Sequence, residues 1–126
     1  MAAVVFDAGA LIALDRGDRT VIALLAVAAQ HGDEAITSSA CVAQAWRDPA
    51  RQVRLTRALA GFLERPLDTL AARRCGLLLA RSGTTDIADA AIALLVQNGD
   101  TVLTSDPDDL RRLLDATDTH ARIRTV

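Results

Sequence analysis

Four aspartates in this 126-residue chain have a spacing that could support chemistry. Asp86 and Asp89 are three residues apart at the start of an apolar run with helical spacing, so they share one face of the first helical turn. Asp7 and Asp106 each follow a short apolar run that predicts a buried strand. Ligands collect at the carboxyl ends of strands in open α/β sheets. The sequence therefore predicts one shared acidic site.

Carboxylates that converge at strand ends repel one another, and a bound divalent cation usually compensates that repulsion. Hard carboxylate oxygens without His or Cys ligands select Mg²⁺, with Mn²⁺ as the other candidate. A cation held in this way suits phosphate chemistry. The competing interpretation is helix capping, worth about 1 kcal/mol for Asp7 and about 0.3–1 kcal/mol each for Asp86 and Asp89. We favour the metal site because capping would leave Asp7 and Asp106 at two strand ends as a coincidence.

Short strand patterns alternate with helical patterns along the whole chain. The segments predicted as strands are 3–6, 35–37, 65–67, 101–104 and 123–126. This alternation predicts an α/β fold with a mainly parallel sheet of four to five short strands, covered by helices on both faces. We therefore predict a three-layer α/β/α arrangement in a single domain that spans residues 1–126.

Some helix ends are also predicted. Helices are expected over 40–47 and 50–61, separated by Asp48 and Pro49 because the residue before proline is disfavoured in a helix. The apolar helix that begins near Asp86 is expected to end at Asn98 and Gly99. Pro107 is expected to begin the next helix.

The composition excludes several classes of function. All fourteen basic residues are arginine, and the lack of lysine excludes P-loop proteins and argues against receiver domains and haloacid-dehalogenase-type phosphatases. Cys41 and Cys75 lie in apolar helical contexts, so we expect buried free thiols. No apolar run approaches the roughly 18 residues of a membrane span, and the amino terminus lacks a basic region. We therefore expect a cytoplasmic protein without a membrane partner.

Four arginines form a basic flank on or near the helix expected at 50–61. Arg51, Arg54 and Arg57 lie away from the apolar side of that segment, and Arg47 precedes it. A guanidinium group suits phosphate binding, but a solvated helix face and a phosphate-contacting surface explain this flank equally well. Arg47, Arg51 and Arg54 are the candidates for RNA binding.

Three blocks of the chain resemble the PIN-domain ribonucleases, specifically the VapC-like toxins of VapBC-type toxin–antitoxin pairs. The blocks are VVFDAGALIAL, SSACVAQAWRD and TTDIADAAIALLVQNGDTVLTSDPDDL. They occur in the order found in the family and cover nearly the whole chain. The resemblance implies a PIN-like domain that hydrolyses RNA with Mg²⁺ as an endoribonuclease toxin. It also implies a homodimer that is neutralised by a cognate VapB-like antitoxin.

The resemblance implies roles for individual residues. Asp7, Asp89 and Asp106 match the first, third and fourth acids of the family, so it assigns them to catalysis and to metal binding. Asp86 is an additional carboxylate next to them and a further candidate metal ligand.

Three supporting positions follow from the same resemblance. Thr104 and Ser105 match the hydroxyl-bearing positions before the fourth acid and could bond a metal-bound water. Gln44 stands where the family normally has a glutamate, and an amide oxygen can bind a cation but brings no charge. An alternative is therefore a catalytically weakened PIN-like protein that binds RNA or a partner.

Overall fold

The computed structural model describes residues 2–126, which form five strands and seven helices. The strands are β1 (Ala3–Phe6), β2 (Glu34–Ser38), β3 (Leu63–Arg65), β4 (Thr101–Thr104) and β5 (Arg122–Thr125). The helices are α1 (Ala8–Asp15), α2 (Arg19–Gln30), α3 (Ser39–Ala45), α4 (Val53–Ala60), α5 (Thr69–Ser82), α6 (Ile87–Leu95) and α7 (Pro107–Ala116). The bounds predicted for the two strands that precede Asp7 and Asp106 agree with the structure.

All five strands are parallel and lie in the order β3-β2-β1-β4-β5. The central strand is β1, where Val5 pairs with Ile36 on one side and with Val102 on the other. The chain runs outward from β1 through β2 and β3 and then returns to β4, so the strand order reverses between β1 and β4. In open α/β sheets, ligands bind in the crevice at such a reversal, beyond the carboxyl ends of the strands.

Helices cover both faces of this sheet. On one face, α1 packs against β1 and β4, and α2 packs against β1 and β2. On the other face, α6 packs against β1 and β2, α7 contacts β5, and α5 packs against both of these helices. The two central strands are aliphatic and buried, as expected for a parallel sheet covered on both sides. The predicted three-layer α/β/α fold is therefore confirmed.

The connection between α3 and α4 differs from the prediction of helices over 40–47 and 50–61. Both helices are shorter because the buried side-chain amide of Gln52 organises the turn between them. Its oxygen accepts hydrogen bonds from the backbone N–H groups of Arg47 at 2.7 Å and Asp48 at 2.9 Å. Its nitrogen donates to the carbonyl of Ala45 at 2.8 Å and to the carboxylate of Asp15 at 3.2 Å.

Two further boundaries are corrected. The strand predicted at 65–67 lies at Leu63–Arg65, because Pro66 has no N–H group to extend a strand. Helix α6 ends at Leu95, before the predicted Asn98 and Gly99. The carboxylate of Asp100 explains this earlier end because it accepts the N–H of Gln97 and the N–H of Ala3, both at 2.9 Å, which holds the segment as a loop against β1.

Two expectations from composition can also be compared with the structure. Cys41 and Cys75 are buried free thiols, as predicted. Among residues 2–126, no helix combines the length and the apolar character that crossing a membrane requires.

Candidate metal centre

Asp7 connects the end of β1 to the start of α1. Its side chain is 3% exposed, and its Oδ1 accepts the N–H of Ala10 at 2.8 Å, which caps α1. Its Oδ2 accepts the N–H of Ser105 at 3.2 Å, just beyond the end of β4. Burial raises the pKa of Asp7, while hydrogen bonds from Thr104, Ala10 and Ser105 partly oppose that effect. Asp7 therefore joins the ends of the two central strands.

The first turn of α1 lies very close to the end of β4. A Cβ atom on Gly9 would lie 2.0 Å from the Oγ of Ser105 and 2.5 Å from its Cβ. Atoms at these separations overlap, so a larger residue would push the first turn of α1 away from the end of β4. Glycine at this position allows the bond between Asp7 and Ser105 to form.

Helices α6 and α7 begin with the same arrangement of aspartates. Asp86 caps α6 and accepts the N–H of Asp89 at 2.9 Å. Asp106 caps α7 and accepts the N–H of Asp109 at 3.4 Å. The positive end of a helix dipole favours carboxylates at these positions. Capping is therefore real at both helices, and the two first turns also bring three carboxylates together.

Asp89, Asp106 and Asp109 each offer one carboxylate oxygen, and these three oxygens lie within 4.8 Å of one another. They are the one group of three or more possible metal-binding side chains with this spacing among residues 2–126. None of the ion pairs formed within this part of the chain involves them. Burial, followed by the charges of Asp86, Asp7, Asp106 and Asp109, raises the pKa of Asp89 to about 7.

The chemistry of this group fits a divalent cation. All three donors are carboxylate oxygens, the ligand type preferred by Mg²⁺ and Mn²⁺. The raised pKa of Asp89 reflects burial and negative charges that no arginine neutralises. A divalent cation would remove that repulsion, and three carboxylates would leave other coordination positions open.

The structure brings together part of the predicted acidic set. Asp89 and Asp106 belong to the three-carboxylate group. Asp7 and Asp86 lie beside that group, since their charges act on Asp89, but they are not members of it. Asp109 was not among the predicted site residues. A signal for it exists in the sequence, because Asp106 and Asp109 repeat the spacing of Asp86 and Asp89.

Thr104 and Ser105 connect the acidic groups through the backbone. Thr104 is 1% exposed, and its hydroxyl accepts the N–H of Asp106 at 2.9 Å. Ser105 is exposed, and its N–H donates to Asp7. Thr104 therefore orients the backbone of Asp106, whereas Ser105 is an exposed residue whose side chain lies against Gly9.

Gln44 is exposed in the last turn of α3. It lies three residues after Cys41, so the two side chains are neighbours on the helix. Burial, followed by the charges of Asp7 and Asp89, raises the pKa of the Cys41 thiol. The face of α3 that carries Cys41 therefore borders the acids, and Gln44 lies one helical turn further along.

The three candidate RNA-binding arginines have local contacts. The guanidinium of Arg47 donates to two carbonyl oxygens at the end of α3, each at 2.8 Å. Arg51 pairs with Asp48 at 3.6 Å. The guanidinium of Arg54 lies over Gly17, where an added Cβ would be 3.1 Å from its central carbon. These contacts leave their role in RNA binding as a prediction.

Comparison by sequence finds neither a matching family model nor a matching curated protein. Comparison by structure finds a match in the crystal structure of VapBC2 from Rickettsia felis bound to a DNA fragment from their promoter. A chain of that structure matches with a TM-score of 0.66, at 13% sequence identity and over 98% of each chain. The two chains share a fold. The resemblance to VapC-like proteins that the sequence motifs indicated is therefore confirmed at the level of the fold.

Proposed function

We propose that this protein is a metal-dependent endoribonuclease toxin of a type II toxin–antitoxin pair. The observation that carries the proposal is the group formed by Asp89, Asp106 and Asp109 at the reversal of strand order. The fold shared with a chain of the VapBC2 structure supports the toxin–antitoxin part. The three sequence blocks that resemble PIN-domain ribonucleases support RNA as the substrate.

Asp89, Asp106 and Asp109 would hold the cation, with Mg²⁺ as the first candidate and Mn²⁺ as the second. Asp7 and Asp86 would keep further negative charge beside it, and their direct binding to the cation remains a prediction. When bound, the cation would neutralise charge on a phosphodiester and make a water molecule more acidic. The resemblance to the PIN-domain ribonucleases supports roles for Asp7, Asp89 and Asp106 in catalysis.

The other residues hold this centre in position. Asp7 links the start of α1 to Ser105, and the Thr104 hydroxyl accepts the N–H of Asp106. These hydrogen bonds hold the backbone that carries the Asp7 and Asp106 carboxylates. The exposed hydroxyl of Ser105 is free to bind water or a phosphate oxygen. Hydrolysis breaks one P–O bond, adds the oxygen of water to phosphorus and leaves a hydroxyl group on the other RNA fragment.

Cleavage of a defined RNA tests this proposal. The wild-type protein should cleave RNA in Mg²⁺ or Mn²⁺ and should stop when a chelator is added. Asp106→Asn should lower cleavage, whereas Asp115→Asn, an exposed acid at the other end of the same helix, should leave it unchanged. Cleavage that persists in chelator, or that Asp115→Asn lowers as much as Asp106→Asn, would contradict the metal centre.

The partners follow from the same proposal. We propose that the toxin binds a VapB-like antitoxin and that it pairs with a second copy of itself. The name of the matched structure supports the first of these partners, and the family resemblance supports both. Growth arrest on expression, relieved by co-expression of a small protein encoded next to this gene, tests the antitoxin. Sedimentation of the purified protein tests the homodimer.

A second function is favoured by one residue. Gln44 brings no charge to the position where the resembled family has a glutamate, so the centre has fewer carboxylates to hold a cation. In this alternative the protein binds RNA or a partner without cutting RNA. Wild-type protein that binds RNA but leaves it intact in both Mg²⁺ and Mn²⁺ would support the alternative over the nuclease.

A further inference from the structure

The exposed face of α5 carries a row of positive charge. The helix contains three arginines and no carboxylate. Arg73, Arg74 and Arg81 are all exposed, and at 3.6 residues per turn they lie within a sector of about 100° of the helix circumference. Within residues 2–126, none of these three guanidinium groups takes part in an ion pair. This row differs from the candidate RNA-binding residues Arg47, Arg51 and Arg54, which already contact other groups of the chain.

The row ends at the turn that leads into α6, the helix that carries Asp89. Helices α5 and α6 pack against each other and are joined by a short turn, so the last turn of α5 lies near the first turn of α6. Asp86 is five positions after Arg81 in the chain, which limits the distance between their Cα atoms to about 18 Å. Helix α5 also packs against α7, whose first turn carries Asp106 and Asp109.

The candidate RNA-binding arginines near α4 lie at the other end of α1 from Asp7. Arg54 lies over Gly17, which follows the carboxyl end of α1, whereas Asp7 caps the opposite end of that helix. Eight residues of helix separate the two ends by about 12 Å. A phosphate bound by Arg54 would therefore lie on the far side of α1 from the carboxyl ends of the central strands.

We propose that the backbone of a single-stranded RNA lies along α5, with Arg73, Arg74 and Arg81 binding successive stretches of phosphate on the way to the acidic centre. This inference rests on the proposed ribonuclease function. Carboxylates repel phosphates, so the affinity for RNA must come from positive charge nearby. Helix α5 has no aromatic residue for base stacking, so its contacts are to the backbone and tolerate any sequence.

Binding of a 20-nucleotide single-stranded RNA, followed by fluorescence anisotropy without divalent cations, tests this path. Each phosphate contact on a single strand contributes about 0.7 to the slope of log affinity against log salt. The triple variant Arg73→Gln, Arg74→Gln, Arg81→Gln should therefore lower that slope by about 2. The matched control Arg19→Gln, Arg122→Gln, Arg124→Gln removes the same charge from exposed positions on α2 and β5 and should leave the slope unchanged.

Cleavage in Mg²⁺ gives a second readout. The α5 variant should raise KM and leave kcat within about twofold, because phosphate binding away from the reacting bond acts on substrate and transition state alike. An unchanged slope in the α5 variant, or a loss confined to the control variant, overturns the inference. Leu77 is 68% exposed on the same face of α5. If the α5 variant leaves the RNA slope unchanged and Leu77→Ser changes the sedimentation of the protein, α5 belongs to a protein interface, and the inference is overturned.

The same measurements separate this inference from the proposed function. If the wild-type protein binds RNA with the α5-dependent slope but never cleaves it, the proposed nuclease function is refuted and the RNA path along α5 is supported. If the wild-type protein cleaves RNA and the α5 variant neither alters the slope nor raises KM, the nuclease function is supported and the path is refuted.

Discussion

Two junctions of the same kind meet at the reversal of strand order, and they use their aspartates differently. Asp7 lies between β1 and α1, and Asp106 lies between β4 and α7. Both cap the helix that follows. Asp7 is buried and engages both carboxylate oxygens with backbone N–H groups, whereas Asp106 is exposed and makes one long bond of 3.4 Å.

The two junctions have the same sequence context, yet their carboxylates differ in burial and in hydrogen bonding. A carboxylate whose two oxygens each accept a backbone N–H is held in place, and each oxygen keeps a lone pair that can bind a cation. A carboxylate with more accessible lone pairs can bind a cation at little cost. Replacements at the β1 junction are therefore expected to cost more stability than replacements at the β4 junction.

Replacing each junction aspartate gives the largest expected effect. Asp106→Asn should lower RNA cleavage by about 10²–10³-fold, because it removes one charge that faces the reaction. Without metal it should keep or slightly raise stability, since it relieves repulsion among the carboxylates. Cleavage assays and urea unfolding measure the two effects.

Asp7→Asn should behave differently. An asparagine amide group would face a backbone N–H of Ala10 or Ser105, so two donors would oppose each other in a buried place. The expected loss of stability is about 1–3 kcal/mol. If Asp7→Asn keeps full stability and abolishes cleavage, Asp7 acts as a direct ligand and the comparison between the junctions fails.

Gly9→Ala tests the β1 junction without touching a carboxylate. The added methyl group overlaps Ser105, so urea unfolding should show a loss of about 1–3 kcal/mol. Adding Ser105→Gly should restore part of that loss, because it removes the overlapping atoms. Gly76→Ala is the matched control, since a Cβ there meets nothing within 4 Å and a helical alanine should stabilise by about 0.5–1 kcal/mol. Equal losses at both glycines would refute the close approach.

The metal-free protein should lose stability as pH rises. The pKa of Asp89 is raised from 3.8 to about 7 in the folded chain, so the folded state binds more protons than the unfolded state between these values. The stabilisation is complete below pH 3.8 and is lost as the pH rises through about 7. After allowance for partial exposure we expect a change of about 1–2 kcal/mol.

Urea unfolding at several pH values measures this change. Asp89→Asn should reduce the pH dependence, and Asp115→Asn should preserve it. Asp7 contributes in the same direction, because burial also raises its pKa. Saturating Mg²⁺ should remove most of the fall in stability with pH, since a bound cation compensates the repulsion among the carboxylates. A stability that rises between pH 4 and 7 would contradict the repulsion at this centre.

Much of the fold could be predicted from the sequence because its signals are local. The apolar strands before Asp7 and Asp106 are short, aliphatic and bounded by turn residues, so their ends are correctly predicted. The turn between α3 and α4 is set by the hydrogen bonds of Gln52, one of them with Asp15, which is 37 residues distant. No local pattern reveals such a contact.

The site divides in the same way. That Asp86 and Asp89 share a helical turn is a local fact, and the structure agrees with it. Which acids face one another depends on how α6 and α7 pack, and sequence spacing does not fix that packing. Asp109 was missed for this reason. That Asp7 is a metal ligand stays a prediction, and the structure adds that each of its oxygens accepts one backbone N–H.

The smallest expected effect is at Gln44, which lies three residues after Cys41, the residue of α3 that borders the acids. Gln44→Glu adds one charge and hardly changes helix propensity, so its effects should be electrostatic. Titration calorimetry should show Mg²⁺ or Mn²⁺ binding tighter by about three- to tenfold, equivalent to about 0.6–1.4 kcal/mol. Cleavage should quicken at low metal, and metal-free stability should fall by less than about 0.5 kcal/mol. Gln30→Glu, which adds the same charge to an exposed residue at the end of α2, should change neither metal affinity nor cleavage. If Gln44→Glu also leaves metal affinity and metal-free stability unchanged, the last turn of α3 does not border the acids, and the match of the second sequence block to the PIN-domain family is wrong.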